Sequence, residues 1–249
     1  MFAKLKYFFT YNPDRPQKRI HSDRSFFFYK LPMFFWLVFK DIRHIMKYGM
    51  PFNEFGVTMY CGRQGAGKTM ALVEYLERMR RKYPKALIVT NFGYQNQDME
   101  FTDWKMFMEV RNGEDGVIFA VDELQNEFSS TQWKNFPENL LSEITQQRKQ
   151  KIKIAATGQV FTRVAKPLRE QTFEVVECAT LKGRWTFTKA FLADEYNAVI
   201  DQPVLKNKTK RLWRKNFVQT DEIRSLYDSY AKIERMGRTE YSDRQDRLA

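Results

Sequence analysis

The octapeptide GRQGAGKT, residues 62–69, matches the P-loop pattern G-x-x-x-x-G-K-[ST] at every specified position. In such a loop, backbone N–H groups surround the phosphates of a nucleotide at the start of a helix, and glycines let the backbone approach the anion. Lys68 is expected to reach the β- and γ-phosphates of ATP, and the Thr69 hydroxyl is expected to hold Mg²⁺. The predicted nucleotide-binding residues are Gly62, Arg63, Gln64, Gly65, Ala66, Gly67, Lys68 and Thr69.

The segments on either side of the octapeptide have the character that a P-loop requires. The run VTMYC, residues 57–61, is short and apolar and is typical of a buried strand. From Thr69 onward, TMALVEYLERMRRKY has apolar residues at helical spacing and a basic C-terminal end. This context favours a phosphate-binding loop over the alternative, a glycine-rich turn that binds no nucleotide.

Three further apolar runs, ALIVT, GVIFAV and IKIAAT, predict strands that alternate with helices. Helices are predicted near residues 103–110 and from about residue 138 to residue 149. Strands and helices in alternation favour a mostly parallel sheet with helices on both faces. The predicted fold class is therefore α/β, a P-loop NTPase domain.

Two acidic residues follow the apolar run GVIFAV and form a second candidate group. Asp122 and Glu123 would lie at the carboxyl end of a buried strand, where ligands bind in α/β proteins. We expect Asp122 to help hold Mg²⁺ and Glu123 to orient and deprotonate the water that attacks the γ-phosphate. The alternative is that the two acids only cap the next helix.

The segment QQRKQKIKIAATGQV brings an arginine and a glutamine to opposite ends of one predicted strand. The amide of Gln159, at the strand tip, could sense the γ-phosphate or the attacking water. Arg148 would emerge at the other end, where it could serve the site of a neighbouring subunit in a ring. An arginine that is only solvated is the alternative, and Arg163 or Arg169 could fill the same role.

The charge of the chain lies mainly on its flanks. The formal net charge is +12; residues 1–50 hold ten Lys or Arg against three Asp, and residues 204–215 add six bases and no acid. Basic flanks are typical of proteins that bind nucleic acid or an anionic membrane surface, although solvated tails have the same composition. The two cysteines, Cys61 and Cys178, are too few for a disulfide framework, and no secretory signal is evident, so a cytoplasmic location is expected.

The N-terminal arm contains an aromatic run, residues 26–39, that is interrupted by Lys30 and Pro32. It is too short for a membrane-spanning helix. Residues 26–47 could lie in a membrane interface or contact a virion vertex, and they could equally pack on the ATPase core or on a neighbouring subunit. Further along, TLKGRWTFTKAF predicts two short strands around Lys182, and residues 218–236 predict a C-terminal helix.

Taken together, the motifs resemble those of the FtsK–HerA superfamily of P-loop ATPases. Within it, GRQGAGKT, VDELQ, RKQKIKIAATGQ and VAKPLREQTFEVVEC are similar to segments of the zonula occludens toxin-like and filamentous-phage assembly proteins. The resemblance implies a RecA-like ATPase that assembles as a homo-oligomeric ring, typically a hexamer. It also implies that Arg148 acts in trans on a neighbour and that Gln159 is the sensor.

Two functions are consistent with these observations. The first is an ATP-driven translocase of a virus or mobile element that moves double-stranded DNA through a ring for packaging or transfer. The second is a membrane-docked ATPase that drives virion assembly or extrusion without gripping DNA. The expected organisation is a basic aromatic arm (residues 1–52), the P-loop ATPase domain (residues 53–200), and a basic linker, helix and tail (residues 201–249).

Overall fold

The computed structural model describes residues 27–127, 147–164, 166–201 and 209–227. The chain divides into two compact units, Met1–Gly49 and Met50–Ala249. In the first unit, helix α1 spans Phe27–Tyr48 and contains Pro32. None of the helices in these described ranges combines the length and the apolar character that a membrane crossing requires.

Helix α1 exposes large apolar side chains beside basic ones. Met33 and Trp36 are each 63% exposed, although both side chains are apolar. The ammonium of Lys40 lies 5.9 Å from the centre of the Trp36 ring, and the guanidinium of Arg43 lies 5.9 Å from that of Phe39. Both contacts are of the cation–π type.

In the second unit, the described strands form one sheet in the order β3-β2-β4-β5-β1-β6-β7-β8. The strands are β1 Gly56–Cys61, β2 Leu87–Thr90, β3 Met99–Glu100, β4 Val117–Val121, β5 Ile152–Gly158, β6 Thr172–Leu181, β7 Trp185–Leu192 and β8 Arg211–Val218. Strands β1 to β6 pair in parallel, and β7 and β8 add antiparallel to the β6 edge. The mostly parallel sheet that the sequence predicted is confirmed.

The parallel strands are buried on both faces, which explains their continuous apolar sequences. Along β4, alternate residues contribute to two different clusters: Phe119 packs in one, and Ile118 packs in the other. The Phe119 cluster also contains Phe101, Phe107 and Phe161. The Ile118 cluster includes the apolar face of helix α2, Lys68–Lys82, through residues such as Leu72 and Leu76.

The remaining described helices are short. They are α3 Met106–Glu109, α4 Leu124–Glu127, α5 Gln147–Gln150, α6 Lys166–Glu170, α7 Ala193–Asp201 and α8 Asp221–Ser225, with single 3₁₀ turns at Gly113–Asp115 and Phe161–Arg163. The helix predicted over residues 103–110 is thus only one turn long. Most of the helix predicted over residues 138–149 lies outside the described residues.

The C-terminal region differs from the sequence-based expectation of a linker that leads into a helix. Arg211–Val218 is strand β8, and Val218, which was expected to open the helix, ends that strand. Trp213 and Phe217 lie on one face of β8 and pack against the Ile118 cluster, but the basic residues between them mask this period of two in the sequence. Helix α8 then begins after Thr220, whose side chain accepts a hydrogen bond from the backbone N–H of Ile223.

Candidate functional site

Three neighbouring strands deliver the predicted site residues to one edge of the sheet. Strand β5 lies between β4 and β1 and is parallel to both. The P-loop follows β1, Asp122 and Glu123 follow β4, and Gln159 follows β5. The carboxyl ends of parallel strands meet at one edge, so the structure brings these groups together.

The P-loop has the backbone of a turn that leads directly into helix α2. Gly67 has φ 79°, a left-handed conformation that favours glycine, and α2 begins at Lys68. The Lys68 ammonium donates a hydrogen bond to the carbonyl oxygen of Arg63 at 3.2 Å. The Lys68 ammonium is therefore held against the P-loop.

Asp122 links the start of helix α2 to the end of β4. Its carboxylate oxygen Oδ1 accepts a hydrogen bond of 2.9 Å from Thr69 Oγ1 and another of 2.7 Å from Thr157 Oγ1. Thr157, on β5, is fully buried. Two hydroxyl groups from different elements thus fix one carboxylate at the edge of the sheet.

Hydrogen bonds also fix the backbone of the two acids, Asp122 and Glu123. The side chain of Asn91 bonds to both backbone groups of Asp122, accepting from its N–H at 2.7 Å and donating to its carbonyl at 3.2 Å. The backbone N–H of Glu123 donates to Thr157 Oγ1 at 2.8 Å. Glu123 adopts φ 50°, which is uncommon for a residue other than glycine and is found preferentially at functional sites.

Asn91 and Thr157 were not predicted from the sequence. Each has a detectable signal, since Asn91 directly follows the predicted strand ALIVT, and Thr157 interrupts the apolar run of β5. Polar side chains at the carboxyl ends of parallel strands are candidates for a ligand site. Which of them would contact Asp122 depends on the strand order, which the sequence does not state.

The donor set fits Mg²⁺. No group of three or more His, Cys, Asp or Glu side chains that could hold a metal occurs among the described residues. Mg²⁺ does not need such a group, because it keeps several waters and binds through one or two protein oxygens together with phosphates. The Thr69 hydroxyl and the Asp122 carboxylate, 2.9 Å apart, are a donor pair of this kind.

Hydrogen-bonded side chains from β6, β7 and the end of β8 support the P-loop. Thr180, on β6, donates a hydrogen bond to the carbonyl of Ala66 at 2.9 Å and lies 2.9 Å from the hydroxyl of Thr186 on β7. Gln219, which follows β8, donates to Thr186 Oγ1 at 2.7 Å. A Cβ atom added at Gly67 would lie 2.3 Å from Thr180 Oγ1, so no larger residue fits there without a shift.

Three other ionisable groups lie close to this edge. Burial is the main cause that raises the pKa of both Cys61 and Cys178 to about 12, so both thiols remain protonated at neutral pH. Burial, followed by the negative charge of Asp122, raises the pKa of Tyr227. Tyr227 pairs with Tyr94 in an isolated antiparallel bridge.

Arg148, the predicted trans-acting arginine, lies at the opposite end of β5 from the P-loop. Arg148 is on α5, at the amino end of β5, where its guanidinium lies 5.6 Å from the centre of the Phe55 ring. It is exposed, and β5 separates it from the P-loop edge. Arg169 donates to the carbonyl of Thr162 at 3.4 Å, and the side chain of Arg163 lies outside the described part of the structure.

Several solved structures are similar to this chain, one of them with a TM-score above 0.5. The N-terminal domain of zonular occludens toxin from Neisseria meningitidis superposes with a TM-score of 0.52 at 16% identity, covering 70% of this chain and all of that one. The genome packaging NTPase B204 from Sulfolobus turreted icosahedral virus 2 gives 0.43 at 11% identity over 56% of this chain and 93% of its own. The cytoplasmic domain of the type VII secretion ATPase EccC from Thermomonospora curvata gives 0.43 at 12% identity over 71% of this chain and 24% of its own.

No family model and no curated protein sequence matches the chain. The assignment of the fold therefore rests on the superposition with the zonular occludens toxin domain. At the level of the fold, it confirms the resemblance that the sequence motifs indicated.

Proposed function

We propose that this chain is a Mg²⁺-dependent ATPase, the motor of a virus or mobile element, and that it moves duplex DNA through a homo-oligomeric ring for genome packaging or transfer. The observation that carries the proposal is the 2.9 Å hydrogen bond between Thr69 Oγ1 and Asp122 Oδ1. It joins the end of the P-loop to the acid that follows β4, and P-loop ATPases use these two groups around Mg²⁺. The fold shared with the zonular occludens toxin domain supports the proposal.

In the proposed reaction, Lys68 neutralises negative charge on the β- and γ-phosphates of ATP. Thr69 and Asp122 would hold Mg²⁺, which when bound offsets the charge that develops on the phosphate oxygens. Glu123 takes a proton from a water as the water oxygen bonds to the γ-phosphorus and the bond to the ADP oxygen breaks. The amide of Gln159, at the adjacent strand end, orients that water or senses the γ-phosphate.

The ring is the part of the proposal that depends on Arg148. The seven residues of β5 separate Arg148 from the P-loop edge by roughly 20 Å at about 3.3 Å per residue. An arginine side chain does not span that distance, so Arg148 cannot reach the phosphates of its own site. We assign it to the site of the next subunit, where a planar guanidinium would contact the transferring phosphoryl group.

The charge of the chain supports DNA as the substrate that is moved. The formal net charge is +12, and Lys210, Arg211 and Arg214 are exposed at the start of β8. Exposed Lys and Arg side chains bind the phosphates of DNA without reading sequence, as a translocase requires.

The test is whether duplex DNA stimulates Mg²⁺-dependent release of phosphate at low salt. Stimulation is expected, and it should weaken steeply with salt, because neutralising about six phosphates costs on the order of a thousandfold in affinity between about 50 and 200 mM salt. Charge reversal at Lys210 and Arg211 should reduce the slope, whereas reversal at Lys85 and Lys105, exposed residues elsewhere, should not. An unchanged slope would move the DNA contact to another surface.

Helix α1 favours a second candidate function, a membrane-docked ATPase that assembles or extrudes a virion. The exposed Met33 and Trp36 beside Lys40 and Arg43 form a surface that could lie in an anionic membrane interface or against a virion vertex. Hydrolysis that ignores DNA but rises with anionic vesicles would favour this function over the first. The first function places the protein in the cytoplasm, at the site where a genome is packaged.

A further inference from the structure

A second cleft lies on the same face of the sheet as α2, away from the P-loop. Its volume is about 570 Å³, within the range of sites for small molecules. The residues that line it belong mainly to the last two turns of α2 and to β1, β6 and β8. The α2 residues begin seven positions after Lys68, so the cleft starts about 10 Å further along the helix axis.

The cleft is lined by more positive than negative charge. Four bases face two carboxylates, Glu54 and Glu174. Glu54 already pairs with Lys82 at 2.9 Å. Both oxygens of Glu174 are also occupied, since they accept hydrogen bonds of 3.0 Å from Thr58 Oγ1 and from the indole N–H of Trp213. The acids of the cleft are therefore engaged by the protein itself.

Of the four bases, Arg78 pairs with Glu74 at 3.0 Å and Lys82 pairs with Glu54, which leaves Lys215 and Arg81 for an anion. Among the described residues, Lys215 forms no ion pair; its ammonium lies 4.9 Å from the centre of the Trp213 ring. Burial and the positive charge of Arg78 lower the pKa of Lys215, and a bound anion would offset both effects. Arg81, on the opposite wall, donates only to the carbonyl of Glu77 within the described part of the chain.

The lining of the cleft also includes aromatic side chains. Tyr60 and Tyr75 are only 3% and 8% exposed, whereas Trp213 is partly exposed. The hydroxyl of Tyr75 is buried and has no hydrogen-bond partner within the described residues, although buried hydroxyl groups are usually satisfied. A ligand that combines a planar ring with an oxyanion would match both Trp213 and the cations.

We infer that this cleft is a second nucleotide site, which holds one phosphate between Lys215 and Arg81 and one base beside the partly exposed side chain of Trp213. Two sources share this chemistry: a free mononucleotide, and one unit of a single nucleic-acid strand. The site shares no residue with the P-loop, so it can exist whether or not the proposed ATPase activity does.

The experiment measures binding by calorimetry to the Lys68→Ala chain, in which the P-loop is disabled. The probes are AMP and a single-stranded oligothymidylate. Whichever probe binds, Lys215→Gln should weaken its affinity by about tenfold or more, because a charge-assisted hydrogen bond to phosphate is lost. Lys85→Gln, at an exposed lysine outside the cleft, is the matched control and should change affinity less than about twofold.

The outcomes separate the two sources. If AMP binds and depends on Lys215 while the oligomer binds no more tightly, the ligand is a free mononucleotide. If the oligomer binds more tightly, with the same dependence on Lys215, the ligand is a nucleic-acid strand. If Lys215→Gln does not fold, Arg81→Gln provides the same test, because it removes the other cation that is proposed to contact the phosphate. The inference is overturned if neither probe binds, or if folded variants at Lys215 and Arg81 leave both affinities unchanged.

Discussion

Lys68 is the residue whose loss should most directly disable the site. Its ammonium is buried against the P-loop, 3.2 Å from the carbonyl of Arg63. In Lys68→Ala, we expect ATP hydrolysis to fall by at least about a hundredfold, the scale reported for removing one preorganised donor to a developing negative charge. Steady-state phosphate release measures this decrease. The control is Lys85→Ala, at an exposed lysine beyond the end of α2. Near-normal turnover would refute the proposed P-loop role.

Glu123 should separate binding of ATP from its hydrolysis. Glu123→Gln retains the shape of the side chain and the backbone N–H bond to Thr157, but an amide cannot accept the proton of water. We expect ATP affinity within about threefold of the unchanged chain and a kcat lower by about 10² to 10⁴. Fluorescent-nucleotide titration and single-turnover hydrolysis measure the two quantities. Loss of binding together with turnover would show that Glu123 is a structural or metal residue instead.

Thr157 should act through the two acids that it contacts. Thr157→Val keeps the volume but removes the hydroxyl that bonds to Asp122 Oδ1 and to the N–H of Glu123. Leaving buried groups unsatisfied costs about 1–3 kcal/mol each, so we expect a lower free energy of unfolding and a lower kcat. Thr157→Ser retains the hydroxyl and should restore both. If serine rescues stability but not kcat, the orientation of the acids does not depend on this hydroxyl.

At the scale of elements, strand β6 and the two antiparallel strands that follow it, β7 and β8, act as a support for the P-loop. Gly67→Ala would place a Cβ 2.3 Å from Thr180 Oγ1 at a left-handed φ of 79°. We expect a loss of about 1–3 kcal/mol in the free energy of unfolding, from the contact and the backbone together. Thr180→Ala removes the contact, so the double variant should lose less than the two single variants combined, as measured by urea unfolding. Strict additivity would mean that Thr180 does not set the space at Gly67.

The parallel strands were predictable because both of their faces are buried. Val117–Val121 and Ile152–Gly158 are nearly continuous apolar runs that end at polar site residues, so the sequence marks both the strand and the site. Strand β8 was missed because Arg211–Val218 carries its bases on an edge strand, where they are solvated. Thr157 and Asn91 were missed because their contacts to Asp122 cross strands that are far apart in sequence. Local sequence patterns do not contain the order of the strands in the sheet.

At the scale of the whole molecule, the ring can be tested by mixing variants. Arg148→Ala should bind ATP normally but hydrolyse it about 10³- to 10⁵-fold more slowly, the range of trans-acting arginines. Lys68→Ala has a disabled site but an intact Arg148, so mixed rings should recover activity. Phosphate release from mixtures of the two chains measures the recovery, and gel filtration shows whether mixed rings form. Mixed rings without recovery would exclude Arg148 as the trans-acting residue.

The position of β1 in the sheet also determines when the strand that leads into the P-loop can pair with its neighbours during synthesis. Strand β1 leads into the P-loop, yet its two neighbours, β5 and β6, are Ile152–Gly158 and Thr172–Leu181. A nascent chain therefore carries the complete octapeptide long before either neighbour has left the ribosome. Contacts between segments so far apart in sequence form slowly, because the loops between them must close first. Strand β1 therefore gains both of its neighbours only after translation has passed Leu181, and every shorter nascent chain carries the octapeptide on a strand that lacks at least part of one neighbour.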